Sequence, residues 1–161
     1  SNGGYYNSPP LNIKNSASNQ VISSKTCAVL RNYMKNVVEK ANADGYVETM
    51  FGRRRNLPEL TSSKHMIRAF GERVARNMPI QGTAADIIKI AMIKVDERMK
   101  AENLRARLVL QVHDELIVEA PQDESMRVAL IVQEEMENAV KMSVPLTADA
   151  AIGRTWYDAK G

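Results

Sequence analysis

A small antiparallel sheet packed on helices, an α+β arrangement, is the fold class that three features of this 161-residue sequence predict. Two apolar, β-branched-rich runs flank the triplet His113-Asp114-Glu115 at strand length and at hairpin spacing. Ile88, Ala91, Met92, Val95 and Met99 recur at helical offsets shortly before them. Leu146, Ala148, Ala150 and Ile152 alternate with Thr147 and Asp149 after them, which predicts a last strand beside the hairpin.

Composition narrows the class. The length suits one domain with a real core, and 44% of residues are hydrophobic, as in an ordinary globular chain. The sequence begins at Ser1 rather than Met, as a fragment would. It contains no apolar run long enough to cross a bilayer and no charged-then-apolar signal segment. The lone Cys27 has no partner for an internal disulfide, which points to a reducing, cytoplasmic compartment. With two histidines beside it, a structural zinc site is not expected. The net charge of +3 is unevenly spread. Gly52 to Arg76 holds seven basic residues and two acidic ones, and Pro121 to Val140 holds five acidic and one basic. One stretch attracts phosphate and the other repels it.

Taken in order, residues 1–24 read as irregular, being rich in Ser, Asn and Gly with Pro9-Pro10. A helix is expected from Lys25 to Ala43, with Val29, Tyr33 and Val37 on one face and Asp44-Gly45 as its stop. Tyr46 to Phe51 reads as a short extended segment that runs into an Arg53-Arg54-Arg55 loop. A second helix is expected from Ser62-Ser63 to about Arg76, ended or kinked by Pro79. A third starts at Thr83-Ala84-Ala85-Asp86, which resembles a capping box with Asp in place of Glu. After the hairpin, Pro121-Gln122-Asp123-Glu124-Ser125 turns into a fourth helix. Ala129, Val132, Met136, Ala139 and Val140 form its buried stripe, and Pro145 stops it. Trp156 is expected to pack over the end of the sheet.

The reactive groups concentrate at the hairpin. Successive strand residues face opposite sides, so the hairpin offers one well-placed metal-ligating carboxylate, or two in a loose arrangement. Mg²⁺ takes one or two carboxylates plus phosphate oxygens. A two-ion site needs carboxylates that bridge ions ~4 Å apart. A second aspartate must come from elsewhere, with Asp86 and Asp149 as local candidates. On spacing alone the plainer reading of the triplet is an exposed polar turn. Arg73, Asn77 and Gln81 recur every four residues and share a face if the chain keeps its direction through Pro79. Such side chains suit groove contacts, whereas the plainer reading of Gln81 to Asp86 is a close-packed helix start. The three consecutive arginines read as a solvated loop or as a phosphate contact.

Leu110-Gln111-Val112-His113-Asp114-Glu115 resembles the motif C hairpin of family A DNA polymerases, the bacterial DNA polymerase I type. Three further stretches resemble that family in the same order. These are Gly45 to Pro58, Glu72 to Asp86, and Pro145 to Lys160. The resemblance covers about residues 32–161 and implies a palm-like partial domain, with 1–31 as an irregular or divergent leader. It further implies a DNA-directed DNA polymerase that joins a nucleotide to a primer 3′-hydroxyl with two Mg²⁺ ions. By the same resemblance, Asp114 binds metal, Glu115 is an auxiliary acid at the metal site, and His113 lies close to the primer end. The resemblance also implies that Arg73, Asn77 and Gln81 touch the duplex in the minor groove, and the basic loop of Arg53, Arg54 and Arg55 is a further DNA-binding candidate on its charge. Primer-template DNA and deoxynucleoside triphosphates are the implied partners, and the bacterial nucleoid the implied location.

The resemblance is incomplete. Neither the Asp-Tyr-Ser-type strand that carries the family's other catalytic aspartate nor the nucleotide-holding fingers helix is found. The expectation is a polymerase-derived chain that lacks half its two-ion site. Two alternatives remain: a duplex-binding module without chemistry, and an interaction domain that uses the acidic helix after Ser125.

Overall fold

The computed structural model describes residues 10–14 and 24–160. In chain order it contains strand β1 (Pro10–Lys14), helix α1 (Ser24–Asp44), strands β2 (Tyr46–Glu48) and β3 (Arg54–Asn56), and a 3₁₀ turn (Pro58–Thr61). Helix α2 (His65–Ala101), strands β4 (Arg107–Val112) and β5 (Glu115–Glu119), helix α3 (Ser125–Glu137), strand β6 (Asp149–Ile152) and helix α4 (Trp156–Lys160) follow. These form an α+β fold of two compact units. One comprises β1 and the chain from Ile87 onward, and the other runs from α1 to Asp86.

The first unit is built on a four-stranded antiparallel sheet in the order β4-β5-β1-β6. The expected hairpin is present, but β6 does not lie beside it. Strand β1 intervenes, with Leu11 paired to Val118 and Ile152, and Ile13 paired to Leu116 and Ala150. Part of the stretch read as irregular is therefore a strand. Leu11 and Ile13 do alternate with Asn12 and Lys14, but the pattern is too short to stand out in a Ser- and Asn-rich segment. The rest of that stretch, residues 1–9 and 15–23, lies outside the described residues.

The core of this unit joins Ile88, Ala91, Val95 and Met99 of α2 to Leu116 and Val118 of β5 and to Val128, Ala129, Ile131, Val132 and Met136 of α3. The predicted α2 stripe thus meets the hairpin, with Met92 at its margin. Leu116, Ile117 and Val118 are all buried, so both faces of β5 are covered. Each such side chain contributes ~1.5–3 kcal/mol. Helix α3 ends at Glu137, well short of Pro145. Asn138 stops it by donating its Nδ2 to the Glu134 carbonyl, and Lys94 Nζ donates to the Asn138 carbonyl at 2.8 Å. Solvent-side carbonyls are satisfied there without a further turn.

In the second unit, α1 ends in a left-handed residue, Gly45 (φ 76°), whose N–H donates to the Ala41 carbonyl at 2.9 Å. The core holds Ala41, Val47, Leu57, Leu60 and Ala75, flanked by Val37, Val38, Val74 and Met78. The earlier part of the α1 stripe, Val29 and Tyr33, is exposed. The arginine run is not a plain loop, because Arg54 and Arg55 form β3 and pair with Glu48 and Val47 of β2.

The largest departure is α2. The two helices expected on either side of Pro79 are one helix of 37 residues with the proline inside it. An interior proline costs ~3 kcal/mol through its missing N–H and ring clash. Buried anchors on both sides, Ala75 before it and Ile88, Ala91 and Val95 after it, hold the helix through the break. Thr83 is not a cap. Its hydroxyl turns back and donates to the Pro79 carbonyl.

Candidate functional site

The continuous α2 settles the condition on which one cluster depends. Residues four apart on an unbroken helix share a face. Arg73, Asn77 and Gln81 line one open groove of about 480 Å³ in the second unit, together with Arg53, Arg55, Phe70, Val74, Met78, Gly82 and Ala85. Arg54 faces elsewhere, with its Nε on Glu48 Oε2 at 3.2 Å and its guanidinium 4.5 Å from the centre of the Tyr46 ring.

The β2–β3 turn is fastened to α2 beside this groove. Thr49 is buried, and its hydroxyl accepts the N–H groups of Phe51 and Arg53 at 3.3 and 3.2 Å. The Met50 N–H reaches across to Thr83 Oγ1 at 3.0 Å. Arg53 Nε donates to Asp86 Oδ1 at 2.8 Å, and Arg53 Nη2 donates to the Gly82 carbonyl at 3.0 Å. Gly82 permits the approach, since a Cβ there would sit 2.7 Å from Thr49 Cγ2. Asp86, considered as a second metal carboxylate, is instead bonded to Arg53.

Phe70 is the groove residue that sequence reasoning missed. It is exposed, and the Arg73 guanidinium lies 5.9 Å from its ring centre. Its position three residues before Arg73 was the available signal.

The acidic turn belongs to the first unit. Val112 pairs with Glu115, which leaves His113 and Asp114 as a two-residue loop. Both are exposed. His113 has a positive φ of 54°, a region that side chains avoid. Gln111 Nε2 donates to the His113 carbonyl and braces the turn. Glu115 already lies in β5, and its Oε2 is buried without a hydrogen-bond partner. Asp149 pairs with Lys14, two strands from β5. It shares a register row with Glu115 two strands away, a backbone separation of ~10 Å. Among the described residues, no three of His, Cys, Asp or Glu gather closely enough to hold a metal. No helix among them is long and apolar enough to cross a membrane.

A model of "DNA polymerase family A" matches residues 8–158. This chain belongs to DNA polymerase family A. The match begins inside the stretch expected to diverge and includes β1. The chain is 55% identical over 131 residues to DNA polymerase I of Bacillus caldotenax, an alignment that covers 81% of this chain and 15% of that protein. DNA polymerase I of Bacillus subtilis is 54% identical over 128 residues, 80% of this chain and 14% of that one. Among solved structures, the polymerase domain of Pol1 from M. smegmatis, in complex with DNA primer-template and dNTP, superposes with a TM-score of 0.78 at 49% identity. It covers 81% of this chain, which spans 23% of it. The chain therefore spans about 15% of the length of the family A relatives it matches.

Proposed function

We propose that this chain supplies two working parts of a DNA polymerase that adds nucleotides to a primer 3′-hydroxyl. One is a groove that holds the primer-template duplex, and the other is a turn that presents a metal-binding carboxylate. The groove carries the proposal. Arg73, Asn77 and Gln81 stand about one helical turn apart along an uninterrupted helix and share the groove with Arg53 and Arg55. Their donors suit the acceptors that base pairs expose in the minor groove, where readout is nearly blind to sequence. Template-directed synthesis needs such tolerance. Arg53 and Arg55 add phosphate contacts, which position the duplex and do not read it. Membership of the family, and the DNA and nucleotide bound by the M. smegmatis protein, support the same reading.

At the turn, exposed Asp114 is the Mg²⁺ carboxylate, Glu115 the auxiliary acid, and His113 the neighbour of the primer end. Asp114 and Glu115 suit a single ion that takes its other ligands from phosphate and water. A two-ion site asks for a further carboxylate, and among the described residues no three of His, Cys, Asp or Glu gather closely enough to hold a metal. The same deficit favours a second reading for the chain by itself, a duplex-binding module without chemistry.

Primer extension with Mg²⁺ and all four deoxynucleoside triphosphates, beside duplex-binding titrations, tests both. The chain alone should bind primer-template with an affinity that falls as salt rises, and should not extend the primer. Extension that disappears with Asp114→Ala would mean that this chain does hold a second carboxylate. Absence of duplex binding at low salt would overturn both readings.

A further inference from the structure

Arg53 is fixed from behind. Its Nε and Nη2 donate to Asp86 Oδ1 and the Gly82 carbonyl, which occupies one edge of the planar guanidinium. The edge formed by Nη1 and the outer hydrogen of Nη2 is left for a ligand, and the residue lines the groove beside Arg55, Arg73 and Gln81. The pair is asymmetric, since the Asp86 side chain is 13% exposed and that of Arg53 is 48% exposed. Asp86 Oδ2 is buried and has no hydrogen-bond partner. A carboxylate kept at that desolvation cost, with one oxygen on a half-exposed arginine, is an orienting group. Missing bulk at Gly82 completes the device by admitting the turn that carries Arg53.

This inference rests on the reading of the groove as a duplex site and deepens it. We infer that Asp86 is a positioning residue for nucleic-acid binding: it holds Arg53 with its open guanidinium edge toward a backbone phosphate, and ligates neither metal nor DNA itself.

The sign of one measurement separates this role from simple electrostatics. Asp86→Asn keeps the side chain's shape and removes a negative charge. Charge alone makes that variant bind DNA more tightly, whereas loss of orientation makes it bind more weakly. With a labelled primer-template duplex followed by fluorescence anisotropy, Asp86→Asn should bind about tenfold more weakly, and the slope of log affinity against log salt should fall by about one. Arg53→Ala should show the same loss, and Asp86→Asn should add nothing to it. Equal or tighter binding by Asp86→Asn, or additive losses in the double variant, would overturn the inference and leave the duplex reading standing. A wild-type chain without salt-dependent duplex binding would overturn that reading, and the inference with it. If Asp86→Asn fails to fold by circular dichroism, Arg53→Lys decides the matter. It keeps the charge and loses the fork, so wild-type affinity in that variant would be fatal to the inference.

Discussion

The Met50 N–H donates to Thr83 Oγ1 at 3.0 Å, across 33 residues, while the same hydroxyl donates to the Pro79 carbonyl within α2. One side chain thus serves two backbones, the β2–β3 turn and the helix that passes through a proline. Thr83 is buried, so losing its hydroxyl deprives the Met50 N–H and the Pro79 carbonyl of their shared partner in a part-buried setting. Thr83→Val should lower unfolding stability by about 1–3 kcal/mol, and Thr83→Ser should recover most of it. Urea denaturation of the three proteins measures this. An unchanged midpoint in the valine variant would show that the turn is held without the hydroxyl.

The parts of the fold that the sequence disclosed are those governed by local periodicity. The Ile88-to-Met99 stripe, the two strands around His113-Asp114 and the alternation into Ile152 all follow from side-chain spacing; the stripe and the hairpin appear where expected, whereas the last strand is confined to Asp149–Ile152 and pairs with β1 instead of the hairpin. The failures are non-local. Strand β1 owes its place to partners more than 100 residues away, so five residues in a polar stretch gave little local warning. Pro79 obeys a local rule that distant burial outweighs. The same division holds for the candidate site. The four-residue spacing of Arg73, Asn77 and Gln81 was legible. The split of the arginine run was not, because Glu48 and Tyr46 take Arg54 while Asp86 and Gly82 take Arg53.

His113 occupies the first loop position of the β4–β5 hairpin with φ of 54°, a conformation that costs a non-glycine residue roughly 1–2 kcal/mol. Glycine is the residue that such a turn favours. His113→Gly should therefore stabilise the first unit by up to about 1 kcal/mol, net of the extra freedom that glycine gives the unfolded chain. Differential scanning calorimetry should show a higher Tm. A lower Tm would mean that the imidazole makes contacts worth more than the strain. In a complete polymerase of this family, the same substitution should reduce primer extension, since strained residues held in place by their surroundings concentrate at functional sites.

Glu102, just beyond the end of α2, accepts from Arg127 Nε at 2.6 Å and from Arg98 Nε at 3.3 Å. Arg98 also bonds Glu134 and Glu135 of α3 at 2.7 and 2.8 Å. The hydrogen bond from Arg127 is the main influence that holds the Glu102 carboxyl below its ordinary value of 4.5, with Arg98 adding to it against a partial desolvation. A carboxyl whose folded value lies below its unfolded one stabilises the fold fully above the unfolded value and loses that contribution as pH falls through the folded one. Glutamine mimics the protonated acid. Glu102→Gln should therefore lower the Tm at pH 7, and its melting curve should converge on that of the wild type as the pH drops below 4.5. High salt should narrow the gap at neutral pH, because the network lies near solvent. Melts collected from pH 7 to pH 3 decide the point. A gap that stays constant into acid would assign the loss to the amide's different hydrogen bonding and not to the charge of Glu102.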